Sequence, residues 1–419
     1  MTMGKCPDGA ELDLCIQAWM TRWAGESPAV AALLSRLEGE RVSAGYGHTL
    51  REIGQQPATW LDTAARASAV VDELAELSAG RDVVVLTGSG SSQFVGDCLA
   101  PALQRRLSAT VRAISGGQLI VDRPGVLPAS KQCLVISLAR SGDSPESCAA
   151  VDALLADDPA CRHLVITCNA RGLLARSYRH ISGVRRLVLH PRTCDQSLVM
   201  TSSFTNMVIA GLCLGGACDA DGYRKTVSEL SELAQAQMLA YTQALAEMST
   251  RPFRSALFLG DGCRYGAAQE SALKMLEITA GRISTRAETF LGLRHGPMCA
   301  IHPDTLVVAY LSCDPVARAY QLDLLAEVRE KGLGLCRVVV GEMVPAGVLD
   351  RGDLAISRAS MPNVDDSSAA VLDVIVGQLL AFFRSLHEGL KPDLPSVDGV
   401  INRVVSEFRI HDQKQGVRP

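Results

Sequence analysis

Two stretches constrain the fold more than any other part of the chain. "VVVLTGSGSSQF", from Val83, and "ALFLGDGCRYG", from Ala256, share one form. Each is an apolar run, then Gly-x-Gly, a polar turn and a helical pattern. They lie ~170 residues apart. "KQCLVISLARSGDSPES" and "PDTLVVAYLSCDPVARA" follow them in the same order. The spacing predicts an internal duplication of one α/β unit.

Ten short runs read as strands. In the first half they are "DVVVLTG", "TVRAIS", "KQCLVISL", "RHLVITCN" and "VRRLVLH". In the second they are "SALFLGDG", "GRISTRAE", "DTLVVAYLS", "LCRVVVGE" and "DLAISRAS". The runs are continuously apolar rather than alternating, so both faces of each sheet should be covered. Helical stretches between them imply doubly wound, mostly parallel five-stranded sheets of flavodoxin-like form. Residues 11–80 read as helices, with one helix expected over Leu61–Leu77 after a break at Pro57. The expected division is a helical segment over 1–60, α/β domains over 61–220 and 221–390, and a tail over 391–419.

Composition removes several function classes. Hydrophobic residues make up 47% of the 419 residues and charged residues 21%, a globular balance. The formal net charge is −4, so no basic field points to nucleic acid. The N-terminal "MTMGKCPDGAELDLC" lacks the apolar core of a secretory signal. The longest apolar run, Met207–Cys218, is too short to cross a bilayer. A cytoplasmic protein without membrane partners is expected. The 14 cysteines are scattered singly, which fits buried reduced thiols better than a metal or disulfide framework.

The turn after Val83–Gly88 is not a dinucleotide fingerprint. Gln93 stands where the last glycine belongs, and "TVRAIS" does not end in an acidic residue. A nucleoside-triphosphate loop would need Gly-Lys-Ser/Thr, which is absent. What remains is a helix N-terminus carrying Ser91 and Ser92. That suits a phosphate monoester, and it equally suits an ordinary helix cap. The second turn, Arg140, Ser141, Gly142, Asp143, Ser144, opens another helix at Pro145. In a parallel sheet both turns leave from the carboxyl ends of their strands, where ligands bind. The corresponding turn in the second half, "LSCDP", has lost its glycine and most hydroxyls. One active site per chain follows from that asymmetry.

A second cluster lies further on. Lys274 and Glu277 sit three apart on one helix face, and Glu288, Arg294 and His295 precede Pro297. A carboxylate and a histidine near a phosphate site are the equipment for proton shuttling on a sugar. The same residues also fit a solvated ion pair and a loop histidine.

"VVVLTGSGSSQF", "ARSGDSPES" and "ALKMLEI…LRHGP" together resemble the sugar isomerase (SIS) superfamily. Their order is similar to the isomerase half of glucosamine-6-phosphate synthase. "TLREIGQQPATW", "DQSLVMTSSFTNM", "ETFLGLRHGP" and "INRVV" resemble the AgaS-type tagatose-6-phosphate ketose/aldose isomerases, also described as galactosamine-6-phosphate deaminase/isomerases. The resemblance runs from about residue 40 almost to the end. It implies two tandem SIS domains and a hexosamine or hexose 6-phosphate substrate. Ser91, Ser92, Arg140, Ser141 and Ser144 would then hold the phosphate, with Thr201 and Ser202 approaching the sugar. Glu277 would be the proton-transfer base, Lys274 its neighbour, and His295 the ring-opening histidine supplied by a partner in a homodimer. No metal or organic cofactor is implied. Two departures stand out: Ala139 replaces a hydroxyl of the second turn, and Arg403 lies near a closing lysine of the synthase without matching it. Plain aldose–ketose isomerisation and a non-catalytic sugar-phosphate sensor remain open as alternatives.

Overall fold

The computed structural model describes residues 9–127, 132–158, 160–214, 219–396, 399–404 and 409–411. Six helices open the chain: α1 (Gly9–Glu26), α2 (Pro28–Leu34), α3 (Glu38–Ser43), α4 (Gly47–Gly54), α5 (Gln56–Ser68) and α6 (Val71–Ser78). The first α/β unit runs β1 (Val83–Gly88), α7 (Ser91–Arg106), β2 (Thr110–Ser115), α8 (Gly116–Val121), α9 (Arg123–Val126), β3 (Cys133–Ala139), α10 (Pro145–Asp157), β4 (Arg162–Thr167), α11 (Leu173–Ser177) and β5 (Val184–Val188). Two helices, α12 (Ser202–Leu212) and α13 (Ala220–Ser249), lead to the second. It runs β6 (Ser255–Leu259), α14 (Cys263–Ile278), β7 (Ser284–Glu288), α15 (Phe290–Leu293), β8 (Thr305–Tyr310), α16 (Pro315–Glu330), β9 (Cys336–Glu342), β10 (Leu354–Arg358) and α17 (Asp366–His387).

All ten expected strands are present, and every pairing is parallel. The strand orders are β2-β1-β3-β4-β5 and β10-β9-β8-β6-β7. Read from its β7 edge, the second sheet repeats the first, so the duplication holds at the level of topology. β1, β3 and β8 are buried throughout, as their unbroken apolar runs require. The edge strands β2 and β7 are partly exposed.

One large core joins the units. It contains Trp23 and Trp60 from the N-terminal helices, Leu86 and Ile136 from the first sheet, and Val308 and Val338 from the second. Trp23 Nε1 donates to Thr242 Oγ1 of α13 at 3.0 Å, tying the opening helices to the linker. α17 is long and apolar enough to cross a membrane, but 94% of its most apolar window is buried inside the protein. It is apolar all round because it is covered all round. The apolar run expected from Met207 is α12 as far as Leu212; residues 215–218 lie outside the described residues.

One helix boundary differs from expectation. Leu61–Leu77 is two helices, parted at Ala69–Val70, where Val70 leaves helical geometry at φ −124° and ψ 19°. The break expected at Pro57 falls at Gln55, between α4 and α5, and Pro57 itself sits in the first turn of α5, where its missing N–H costs nothing.

Candidate active site

The two turns leave from neighbouring strands. β1 and β3 are adjacent, and the chain turns from β1 to β2 on one side and to β3 on the other. This is the switch point at which an open parallel sheet forms a crevice. Gly90 adopts φ +57° and ψ −128°, which an L residue rarely tolerates. A Cβ on Gly88 would stand 2.5 Å from Ser92 Cβ. Both glycines let α7 begin abruptly, with Ser91 and Ser92 in its first turn. Opposite, Gly142 adopts φ +68°, and Ser144 is the N-cap residue of α10.

A cavity of about 230 Å³ opens between the turns. Ser91, Ser92, Arg140, Ser141, Ser144, Lys274 and Glu277 all line it, so seven of the sequence-predicted residues meet in one place. The hydroxyls are not idle. Ser92 Oγ lies 3.9 Å from Met200 Sδ, and Ser141 Oγ accepts from Asp143 N at 3.3 Å. Ser147 and Glu146 of α10 and residues 401–404 of the C-terminal strap also face the cavity. The sequence reading had assigned none of these a role.

Glu277 and Lys274 reach the cavity because α14 lies close against α7. A Cβ on Gly266 would come within 2.6 Å of Cys98 N, so only glycine permits this approach. Lys274 then meets Ser91 as Gly266 meets Cys98, which makes the two helices antiparallel. Lys274 Nζ donates to Ser91 Oγ at 3.1 Å and to Glu277 Oε2 at 2.5 Å. It also lies 3.4 Å from Glu270 Oε1. Lys274 and Glu270 are fully buried, whereas the Glu277 side chain keeps 24% exposure toward the cavity. Burial pushes the Glu270 carboxyl up to about 8, against the pull of Lys274, and Glu277 adds to the rise. Burial works against the Lys274 ammonium, yet Glu270 and Glu277 outweigh it and hold its pKa above the ordinary lysine value. Sequence reasoning missed Glu270, although it lies four residues before Lys274 on the same helix face.

Thr201 and Ser202 are not where the sequence suggested. Neither lines the cavity, and both are fully buried. They open α12, and Asp195 takes up their hydrogen-bonding groups. Its carboxylate accepts from Thr201 N (2.8 Å), Ser202 N (3.1 Å), Ser202 Oγ (2.5 Å), Ser203 N (2.9 Å) and Ser203 Oγ (2.5 Å). The family resemblance implied that these hydroxyls approach the sugar, but an internal carboxylate already takes them up. Leu198, Val199 and Met200 of the same segment face the cavity instead. Glu52 braces that wall from behind, accepting from Gln196 N and Ser197 Oγ, each at 2.5 Å. Burial, helped by the Asp195 charge and opposed by the Ser197 and Gln196 bonds, raises the Glu52 pKa to about 8.

His295 stands apart. It is exposed and does not line the cavity. Gly260 N donates to Glu288 O, and Phe290 N to Asp261 Oδ1, both at 3.2 Å. These bonds fix the loop after β7 beside the start of α14. Glu277 is in the last turn of that helix, about 20 Å along its axis. Within one chain the two residues do not share a site.

The second copy of the turn is built differently. Gly262 repeats the backbone of Gly90, at φ +54° and ψ −126°. Arg264 stands in the position of Ser92. The Asp366 carboxylate lies between the second unit's two turns, accepting from Arg264 Nε (2.9 Å), Cys313 N (2.8 Å) and Ser312 Oγ. Arg264 Nη1 also donates to Asp373 Oδ2 at 2.5 Å. At the position of Glu277 the first copy carries Arg105, which approaches Cys263 Sγ at 3.9 Å. The duplicated turn is closed by an ion pair of its own.

Among the described residues no group of three or more His, Cys, Asp or Glu is placed to hold a metal ion. No protein-family profile matches the chain. Individual relatives do. An AgaS protein of Streptomyces coelicolor is 38% identical over 371 residues, spanning 87% of this chain and 95% of the relative. The chain belongs to the AgaS family. An Escherichia coli AgaS, named D-galactosamine-6-phosphate deaminase, is 34% identical to this AgaS-family chain over 370 residues, 87% of it and 95% of the relative. The crystal structure of tagatose-6-phosphate ketose/aldose isomerase from Escherichia coli superposes with a TM-score of 0.79 at 31% identity, covering 88% of this chain and 97% of the other. The C-terminal domain of glucosamine-fructose-6-phosphate aminotransferase from Francisella tularensis shares the fold, with a TM-score of 0.70 at 19% identity.

Proposed function

We propose that this AgaS-family enzyme converts D-galactosamine 6-phosphate and water to D-tagatose 6-phosphate and ammonia. One observation carries the reading: a buried ammonium, Lys274, joins the phosphate turn at Ser91 to the carboxylate of Glu277 at the rim of one cavity. The two α/β units thereby set a proton-transfer group at a fixed distance from a phosphate anchor. Ser91, Ser92, Ser141, Ser144 and the helix starts behind them hold the phosphate. Glu277 removes the proton from C2 of the open-chain sugar, and the electron pair moves toward the C1 aldehyde. The resulting enolamine is reprotonated at C1 and becomes a 2-imine. Water adds to the imine carbon, ammonia leaves, and C2 becomes the ketone. Lys274 orients the Glu277 carboxylate through their hydrogen bond.

Ring opening falls to His295 of a second copy of the chain, because its own Glu277 is out of reach. The enzyme on this reading is a homodimer with shared sites. The described cysteines are free thiols, mostly buried, and we place the enzyme in the reducing cytoplasm.

The test is ammonia release from galactosamine 6-phosphate. Stoichiometric ammonia with tagatose 6-phosphate supports the deamination. The name of the Escherichia coli structural relative favours a second reading, isomerisation of a neutral hexose 6-phosphate with the same base. Turnover of the neutral sugar phosphate with no ammonia from the amino sugar would select it. Binding of these sugars without turnover would leave only a sensor.

A further inference from the structure

Arg140 lines the cavity, but its guanidinium is committed elsewhere. We propose that Arg140 is a positioning residue that latches the C-terminal strap onto the cavity wall, and that it is not a ligand of the phosphate. Nη1 donates to the main-chain oxygens of Ser197 (3.3 Å), Leu198 (2.9 Å) and Val199 (3.1 Å). Nη2 donates to the main-chain oxygen of Arg403 at 2.5 Å. One planar fork thus grips the wall with one arm and the strap with the other. A lysine has no such pair of arms.

The strap answers in kind. Arg403 Nε and Nη2 both donate to the Asp195 carbonyl, at 2.9 and 2.5 Å. Earlier in the same segment, Leu198 N donates to Asp393 O at 3.0 Å. Asp393 is itself fixed, its carboxylate accepting from His48 N (3.0 Å) and Thr49 N (2.7 Å). Leu198 is therefore held through its N–H by the start of the strap and through its carbonyl by Arg140. Arg140 itself grips only main-chain oxygens, so its hold fixes the path of the backbone, and the Arg403 side chain adds a second grip. Residues 401–404 form the part of the cavity lining that this grip holds in place. The phosphate is left to hydroxyls and helix starts, and Arg140 decides whether the strap lies over them.

The latch rests on contacts within the chain itself. Only its kinetic consequence rests on the sugar-phosphate reading. Three measurements compare wild type, Arg140→Gln, Arg140→Lys and a chain ending at residue 398. The first is the rate of trypsin cleavage after Arg403. It should rise about tenfold or more in both Arg140 variants, because the strap opens more often. The second is the affinity for inorganic phosphate by calorimetry, which should change less than about twofold. The third is steady-state kinetics with galactosamine 6-phosphate. KM should rise about tenfold in both variants and in the shortened chain, with kcat within about threefold. Strap protection equal to wild type in Arg140→Lys or Arg140→Gln overturns the latch. A tenfold loss of phosphate affinity in either makes Arg140 a phosphate ligand and overturns it as well. Should Arg140→Gln fail to fold, Arg140→Lys and the shortened chain still decide. Absence of turnover in every chain would reject the substrate, while the trypsin and inorganic phosphate measurements would still judge the latch.

Discussion

Glu270, Lys274 and Glu277 lie on one face of α14 with three different surroundings. Lys274 and Glu277 both line the cavity, but of the three only Glu277 keeps an appreciable exposed surface there, which is why the proton transfer is proposed for it. Glu270 is sealed, and burial raises its pKa from 4.5 to about 8. Between those values the native chain holds a proton that the unfolded chain has lost. Stability contributed at this position therefore falls as pH rises from about 4.5 to 8, by an amount on the order of a few kcal/mol. Glu270→Gln should flatten that decline, raising the denaturant midpoint at pH 8 more than at pH 5. A steeper decline in the variant would contradict the buried, protonated state. Lys274 and Glu277 were legible from their spacing. Glu270 followed the same periodicity but not the quoted motif. The Glu52 contact with Ser197 spans 145 residues and leaves no local trace in the sequence.

At the scale of elements, the strands were readable and the polar scaffolding was not. A buried parallel strand must be apolar on both faces, so β1, β3 and β8 announced themselves most plainly. The Gly-x-Gly turns were readable because positive φ at Gly90 and Gly262 demands glycine. At the start of α12 the resemblance alone could not decide, because "MTSS" looks alike whether its hydroxyls meet a ligand or a carboxylate. Asp195, six residues before Thr201, decides it. Asp195→Ala should strip the first turn of α12 of its cap and cost about 2–3 kcal/mol. Equilibrium denaturation checks this, and Asp195→Asn should cost less. KM should rise in both, because the wall formed by Leu198, Val199 and Met200 hangs from the same loop. A stable Asp195→Ala protein would show that α12 does not depend on this cap.

Behind its opening helices the molecule carries two copies of one α/β unit that have diverged in opposite directions. The first keeps its hydroxyl turns, and the second supplies the carboxylate; the second's own turn is filled by Asp366. The antiparallel contact of α7 with α14 makes the site composite, so neither unit holds it alone. His295 sits at the wrong end of α14 for its own chain. Glu277→Gln and His295→Ala homodimers should both be nearly inactive. Mixed and allowed to exchange subunits, they should recover about a quarter of wild-type activity, since each mixed dimer has one intact site. No recovery after proven exchange would place His295 in its own chain's site or outside the chemistry. The central claim is that Glu277 moves the C2 proton of an amino-sugar phosphate. Its most direct test is turnover of galactosamine 6-phosphate in deuterated water, followed by ammonia release and by deuterium at C1 of the ketose. Wild type should release one ammonia per tagatose 6-phosphate. Some solvent deuterium should appear at C1. Glu277→Gln should lower the rate by about a hundredfold to ten-thousandfold. Ammonia release from Glu277→Gln at the wild-type rate would contradict the account.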